Sequence, residues 1–152
     1  MLIAAMGEEY PVLEYLYIAT LTKQKTSLVL PRTLHAPQLR SLVLMNFAFP
    51  IMSPILSTAT NIVTLLLQKI HPSAYFHPND LLPRLSLLPQ LETLGISFLT
   101  PVPNREVERH LLFTSMTTHV TLPSLRSFGF NGVSVYLEAL PRSRLHSSRN
   151  SK

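Results

Sequence analysis

Residues 36–44 read Ala-Pro-Gln-Leu-Arg-Ser-Leu-Val-Leu, and the last six of them, Leu39 to Leu44, set a pattern that returns along the chain. An aliphatic residue is followed by two variable ones, an apolar one, a variable one and an apolar one. The pattern recurs at Leu13 to Ile18, Ile62 to Leu67, Leu91 to Ile96 and Leu125 to Phe130, with unequal lengths of chain between successive copies. The last two apolar positions of each copy lie two residues apart, which is the strand period. Both therefore face one side, and the residue between them faces the other. The first apolar position comes where the chain turns into the strand and tucks inward. One such strand cannot bury three large side chains, but five stacked in parallel about 4.8 Å apart form a continuous apolar column.

Four of the five copies are preceded by proline at the same offset: Pro11 before Leu13, Pro37 before Leu39, Pro89 before Leu91 and Pro123 before Leu125. Proline fixes φ and lacks an N–H, so it ends the preceding element and delivers an extended chain. The third copy has Thr60 there, and is expected to enter its strand differently. Between strands the chain must cross behind the sheet. Asn79-Asp80 before Leu81, Leu82, Leu85 and Leu88 predicts a capped helix with an apolar stripe, Asp80 serving the cap and Pro83 falling in the first turn. Asn104 followed by Arg105 to Leu112 predicts another, with Val107 and Leu111 inward. Pro54 to Ala59 predicts a helical turn, and Met1 to Met6 and Val133 to Leu140 predict short terminal helices. Residues 21–36 and Val120 to Leu122 have an extended texture.

Self-similarity with a mean period of about 28 residues marks a leucine-rich repeat, whose strand portion has this spacing. The expected fold is thus α/β: a ribonuclease-inhibitor-like solenoid arc, with about five parallel strands on the concave side and helices and extended segments on the convex side. The domain is expected over residues 1–140, as a fragment of a longer solenoid, followed by a basic, disordered tail over 141–152.

Bulk composition narrows the function classes. Charged residues are 14% of the chain, against roughly 25% in average usage. The net charge of +5 suggests nucleic acid, but Arg142, Arg144, Arg149 and Lys152 crowd the last twelve residues, leaving a net +1 over residues 1–140. A phosphate-binding surface needs basic groups gathered on a folded face, so no nucleic-acid partner is expected. Mean hydropathy is +0.23, and the whole run between Arg40 and Lys69 carries no charge. Pro50, Pro54, Asn46 and Asn61 interrupt that run, so no membrane partner is expected either. Cysteine is absent, as is any Asn-x-Ser/Thr sequon, and Met1 to Met6 meets Glu8 and Glu9 at once. These features point to an intracellular protein, cytoplasmic or nuclear.

The residues of chemistry are sparse. There is one aspartate and seven glutamates, and Glu106 and Glu108 diverge on their predicted helix. His71 and His77 flank an aromatic loop without a third ligand, and His110 and His119 fit no ligand pattern. No phosphate loop, dinucleotide fingerprint or nucleophile elbow occurs. The chain is expected to be no enzyme, with no cofactor and no metal.

The outward positions of the strands remain. They stack as Tyr15, Ser41, Thr64, Thr93 and Ser127; then Tyr17, Val43, Leu66, Gly95 and Gly129; then Ala19, Met45, Gln68, Ser97 and Asn131. Bulky groups lie at the N-terminal end and small polar ones at the other. Tyr15, Tyr17, Val43, Met45, Leu66 and Gln68 are the candidate protein-binding residues, since exposed aromatic and aliphatic groups on a rigid sheet suit a hot spot. The second position of the repeat is charged in four of the five copies, placing Glu14 beside Arg40 and Glu92 beside Arg126 as expected cross-rung ion pairs. The outermost strands are open edges, so association or marginal stability is expected.

The segments LHAPQLRSLVL (34–44), HPSAYFHPNDLLPRLSLLPQLETLGI (71–96) and THVTLPSLRSFGF (118–130) resemble the leucine-rich-repeat half of fungal F-box-like proteins. That resemblance covers residues ~10–140 and rests on repeat texture. It implies a substrate-recognition role in a cullin–RING ubiquitin ligase, whose adaptor binds an F-box preceding the repeats. No F-box lies between Met1 and the first repeat, so adaptor binding is expected only if one exists upstream. The alternative is a stand-alone repeat scaffold or truncated paralogue with no ligase role. Neither reading names the protein partner.

Overall fold

A computed structural model of the protein describes residues 9–20, 28–29, 34–49, 51, 53–71, 74, 76, 78–99 and 120–132. Five strands form one parallel sheet: β1 (Tyr15–Ala19), β3 (Ser41–Met45), β5 (Thr64–Ile70), β6 (Thr93–Phe98) and β7 (Ser127–Asn131), side by side in chain order. Each coincides with one copy of the repeated pattern. A second, two-stranded parallel sheet pairs β2 (Leu28–Val29) with β4 (Phe47–Ala48). Among the described residues two helices, α1 (Ile55–Thr58) and α2 (Pro78–Leu85), lie in the connections β4–β5 and β5–β6. The protein is therefore α/β with a five-stranded parallel sheet.

Through the first four residues of each strand the register is that expected from the pattern. Tyr15, Ser41, Thr64, Thr93 and Ser127 are successive neighbours, as are Tyr17, Val43, Leu66, Gly95 and Gly129. Between them, Leu42, Leu65 and Leu94, and Leu44, Leu67 and Ile96, stack as closed apolar columns. Leu39, Ile62 and Leu91, the first apolar residues of the inner copies, are fully buried. α1 adds Ile55 and Leu56, and α2 adds Leu81, Leu82 and Leu85, all with no exposed surface. Towards β7 aromatic rings take over: Phe98 packs against Phe76 at 6.0 Å and edge-on against Phe130 at 6.3 Å between centroids.

One turn precedes every rung. The N–H of Leu13, Leu39, Ile62, Leu91 and Leu125 donates to the carbonyl three residues back, on Tyr10, Ala36, Ala59, Leu88 and Leu122, at 3.1–3.3 Å. Proline occupies the second position of four of these turns, where its fixed φ is pre-set for the geometry. The expectation that Thr60 makes the third rung different is corrected: Ala59 to Ile62 closes the same turn at 3.3 Å. What the turn requires is the hydrogen bond and a small or apolar residue at its start. Proline only lowers the entropy of reaching it.

A stability prediction follows from this corner. Thr60 is exposed, its N–H donates no hydrogen bond among the described residues, and Ala59 sits at φ −90°, ψ 63°, outside the region that a following proline disfavours. Thr60→Pro is expected to stabilise the fold by about 0.5–1 kcal/mol through the unfolded chain. Chemical denaturation with an unchanged slope would measure it. A loss of stability would show that the third turn is not equivalent to the others.

Three further expectations are corrected. Asp80 lies in the first turn of α2, not at its cap, because the helix begins at Pro78. A carboxylate there still opposes the positive end of the helix dipole. By the same shift Pro83 sits within the helix, one turn further in than expected. The helix is short, and its apolar stripe, extended by Leu88, is completely buried, so packing outweighs the lost backbone bond.

The third correction concerns the outward column Ala19, Met45, Gln68, Ser97. Met45 does meet Gln68, but the register between β5 and β6 shifts after the Leu67–Ile96 pair and resumes at Ile70–Phe98. β5 carries one extra residue there, a bulge, with Lys69 at φ 53°. Gln68 and Ser97 are therefore not partners. Asn46 takes the same left-handed conformation, φ 55°, where β3 hands the chain to β4. Its Nδ2 donates to Thr20 Oγ1 at 3.0 Å, and Thr20 Oγ1 donates to the Asn46 carbonyl at 2.9 Å, fixing the corner.

Of the expected extended crossings, Leu28–Val29 and the parallel bridge Glu9–His35 are present. Val120 and Leu122 are buried and Thr121 exposed, the alternation of an extended segment, although they join no strand. Pro54 to Ala59 forms its helical turn, with the fully buried Ser53 accepting from the Ile55 N–H at 3.4 Å. The expected helices at 1–6, 105–112 and 133–140, and the tail at 141–152, lie outside the described residues.

Candidate protein-binding face

The sheet has one side closed by the core and one side open. On the open side Tyr15 and Tyr17 expose 67% and 65% of their surface, far more than aromatic side chains in a core-facing position. They share rungs with Ser41 and Val43, and Val43, Met45, Leu66 and Gln68 are half-buried. All six candidate residues are thus on the same face. Tyr15, Tyr17, Val43 and Leu66 form one continuous area across three adjacent strands, about 10 Å wide at normal strand spacing. The sheet backbone fixes the position of each of them.

Beyond Leu66 the face dips. A hollow of ≈ 320 Å³ runs from Leu66 and Gln68 across Thr93, Gly95 and Ser97 to Ser127, Gly129 and Asn131. Two neighbouring glycines make its floor. A Cβ on Gly129 would meet nothing within 4 Å, while one on Gly95 would come 2.6 Å from Leu66 Cδ2, so Leu66 leans into the space that Gly95 leaves. Among the described residues, no charged side chain lines this hollow. Its hydroxyl and amide side chains can hydrogen-bond an uncharged group.

Gly95, Ser97, Ser127, Gly129 and Asn131 are not among the residues expected to bind. The signal is present in the sequence as glycine at the same repeat position in two successive copies. Read along one strand, it signifies thinning. Only the pairing of those strands as neighbours makes the thinning a depression.

The charged column behaves unequally. Arg126 Nη2 lies 3.8 Å from Glu92 Oε1, with the side chains 79% and 41% exposed, a pair contributing at most about 1 kcal/mol. Glu14 and Arg40 are joined through the main chain, the Arg40 N–H donating to the Glu14 carbonyl at 2.8 Å. This contact keeps the two rungs adjacent, but the expected Glu14–Arg40 ion pair is corrected: among the described residues the column's ion pair is Arg126–Glu92.

Among the described residues, no group of three or more His, Cys, Asp or Glu side chains could hold a metal ion. No helix among them is long and apolar enough to cross a membrane. His71 is half-buried just after β5, its carbonyl accepting from the Ala74 N–H at 2.8 Å. His77, Glu106, Glu108, His110 and His119 lie outside the described residues. No protein-family model, curated protein or solved structure matches the chain.

Proposed function

We propose that this chain is a leucine-rich-repeat arc that binds a protein on its open strand face and does no chemistry. The observation that carries the reading is the exposure of Tyr15 and Tyr17 on a rigid sheet, flanked by Val43 and Leu66. Two large rings with few rotatable bonds supply contact area at low entropic cost, as binding anchors do. The repetition of one turn and one hydrogen-bonding rule over five rungs supports the solenoid form.

The resemblance to the repeat half of F-box-like proteins gives that face a role: selecting a substrate for a cullin–RING ubiquitin ligase inside the cell. The adaptor would be bound by an F-box elsewhere in the gene product and not by these repeats. Affinity purification of the full-length gene product from its native cells tests this. The ligase adaptor is expected to co-purify in stoichiometric amount. Its absence would remove the ligase role and leave a stand-alone interaction scaffold.

A further inference from the structure

The sheet is assembled by a single rule. In each of four junctions, the N–H groups of the second and third repeat residues both donate to the carbonyl of the second residue of the preceding rung. Arg40 and Ser41 donate to Glu14, Val63 and Thr64 to Arg40, Glu92 and Thr93 to Val63, and Arg126 and Ser127 to Glu92, all at 2.8–3.0 Å. Among the described residues the rule stops at both ends: the main-chain N–H groups of Glu14 and Tyr15 donate to no carbonyl, and the Arg126 carbonyl accepts nothing. The donors missing a partner on β1 are thus those that the acceptor left over beside β7 would take.

The side chains at these edges match as well. Along the second repeat position the residues are Glu14, Arg40, Val63, Glu92 and Arg126. Placing a second copy's Glu14 after Arg126 sets an acid beside a base, as at the Glu92–Arg126 junction. The core columns, closed in the inner rungs, are only partly buried at Leu13 and Leu16 on one edge and at Leu125 and Phe128 on the other. In the outward column Tyr17 would come beside Gly129, around which there is open space, much as Leu66 leans over Gly95. A two-fold pairing of either edge with itself would run the strands antiparallel and lose both the bonding rule and the charge match.

We propose that this chain associates head to tail with a second copy of itself, β1 of one copy adding in parallel to β7 of the next. Main-chain bonds, the Glu14–Arg126 pair and the half-buried edge leucines and Phe128 form the contact. Because the contact is heterologous, it can repeat and give a series of oligomers. It is built from the sheet edges and its test reads self-association, so it stands independently of the partner-binding reading, with Tyr17 and Gly129 bordering both surfaces.

The full chain contains no cysteine, which allows a clean crosslinking test. Tyr15→Cys and Ser127→Cys are made separately, mixed and mildly oxidised. Parallel rung neighbours lie about 4.8 Å apart, within disulfide reach. The expected product is the mixed Tyr15→Cys/Ser127→Cys dimer, with little homodimer of either variant. Thr64→Cys, on the central strand, should give none with Tyr15→Cys. Sedimentation of the wild-type chain should show oligomers growing with concentration, and Arg126→Glu should weaken their association by about fivefold at low salt. Predominant homodimers, or equal crosslinking through Thr64→Cys, would overturn the proposal. So would a chain that stays monomeric at every concentration, since its edges would then be covered by its own remaining residues.

Discussion

Leu65→Ala is expected to lower the unfolding free energy by about 3–5 kcal/mol, a large share of the roughly 5–15 kcal/mol typical of a domain. Leu65 sits on β5, the central strand, and has no exposed surface. Its neighbours in the column are Leu42 on β3 and Leu94 on β6, both buried. Removing the isobutyl group leaves a cavity that cannot close easily, because main-chain ladders hold both flanking strands at fixed spacing. The same truncation at Leu16, the equivalent residue on β1, should cost only about 1–2 kcal/mol, since that side chain is only partly buried and water can refill its place. Urea unfolding of both variants measures the difference, with unchanged slopes showing that stability and not compactness has moved. Equal losses at the two positions would contradict a column that closes towards its centre.

The strands and their register can be read from the sequence because burial imposes them. A repeat that places apolar groups at a fixed offset admits one alignment of neighbouring strands, and a one-residue slip would turn Leu65 and Leu67 outward. Features that burial does not determine are less legible. Lys69 bulges with its side chain exposed, so nothing in the apolar pattern marks the extra residue. The start of α2 departs from expectation because Asn79 and Asp80 suit a first turn as well as a cap, and Pro78 can open a helix directly. Thr60 departs from it because proline marks the turns without creating them; the small buried Ala59 and its hydrogen bond with Ile62 do that. The hollow over Gly95 and Gly129 is a property of two strands together, far apart in sequence and adjacent in the sheet, and no reading of either strand alone contains it.

Replacing Tyr15 and Tyr17 together by alanine is expected to weaken partner binding by about 30-fold or more, while changing stability by no more than about 0.5 kcal/mol. The two effects separate because both rings are about two-thirds exposed: folding buries little of them, and binding would bury the rest. The hollow at the other end of the face offers a different kind of contact. Its hydroxyl and amide groups are solvated when free, so bonds formed there mostly replace bonds to water and contribute less than aromatic burial. The tyrosines should therefore set affinity, and the hollow should set which uncharged group is accepted. A photoreactive phenylalanine analogue at Val43, midway between them, can report on the complex in living cells. Illumination should yield a discrete adduct that Tyr15→Ala/Tyr17→Ala abolishes and Leu87→Ala, in the turn after α2, leaves intact. An adduct that survives the tyrosine changes would move the binding energy elsewhere, because no other exposed aromatic side chain of the described strands shares that face.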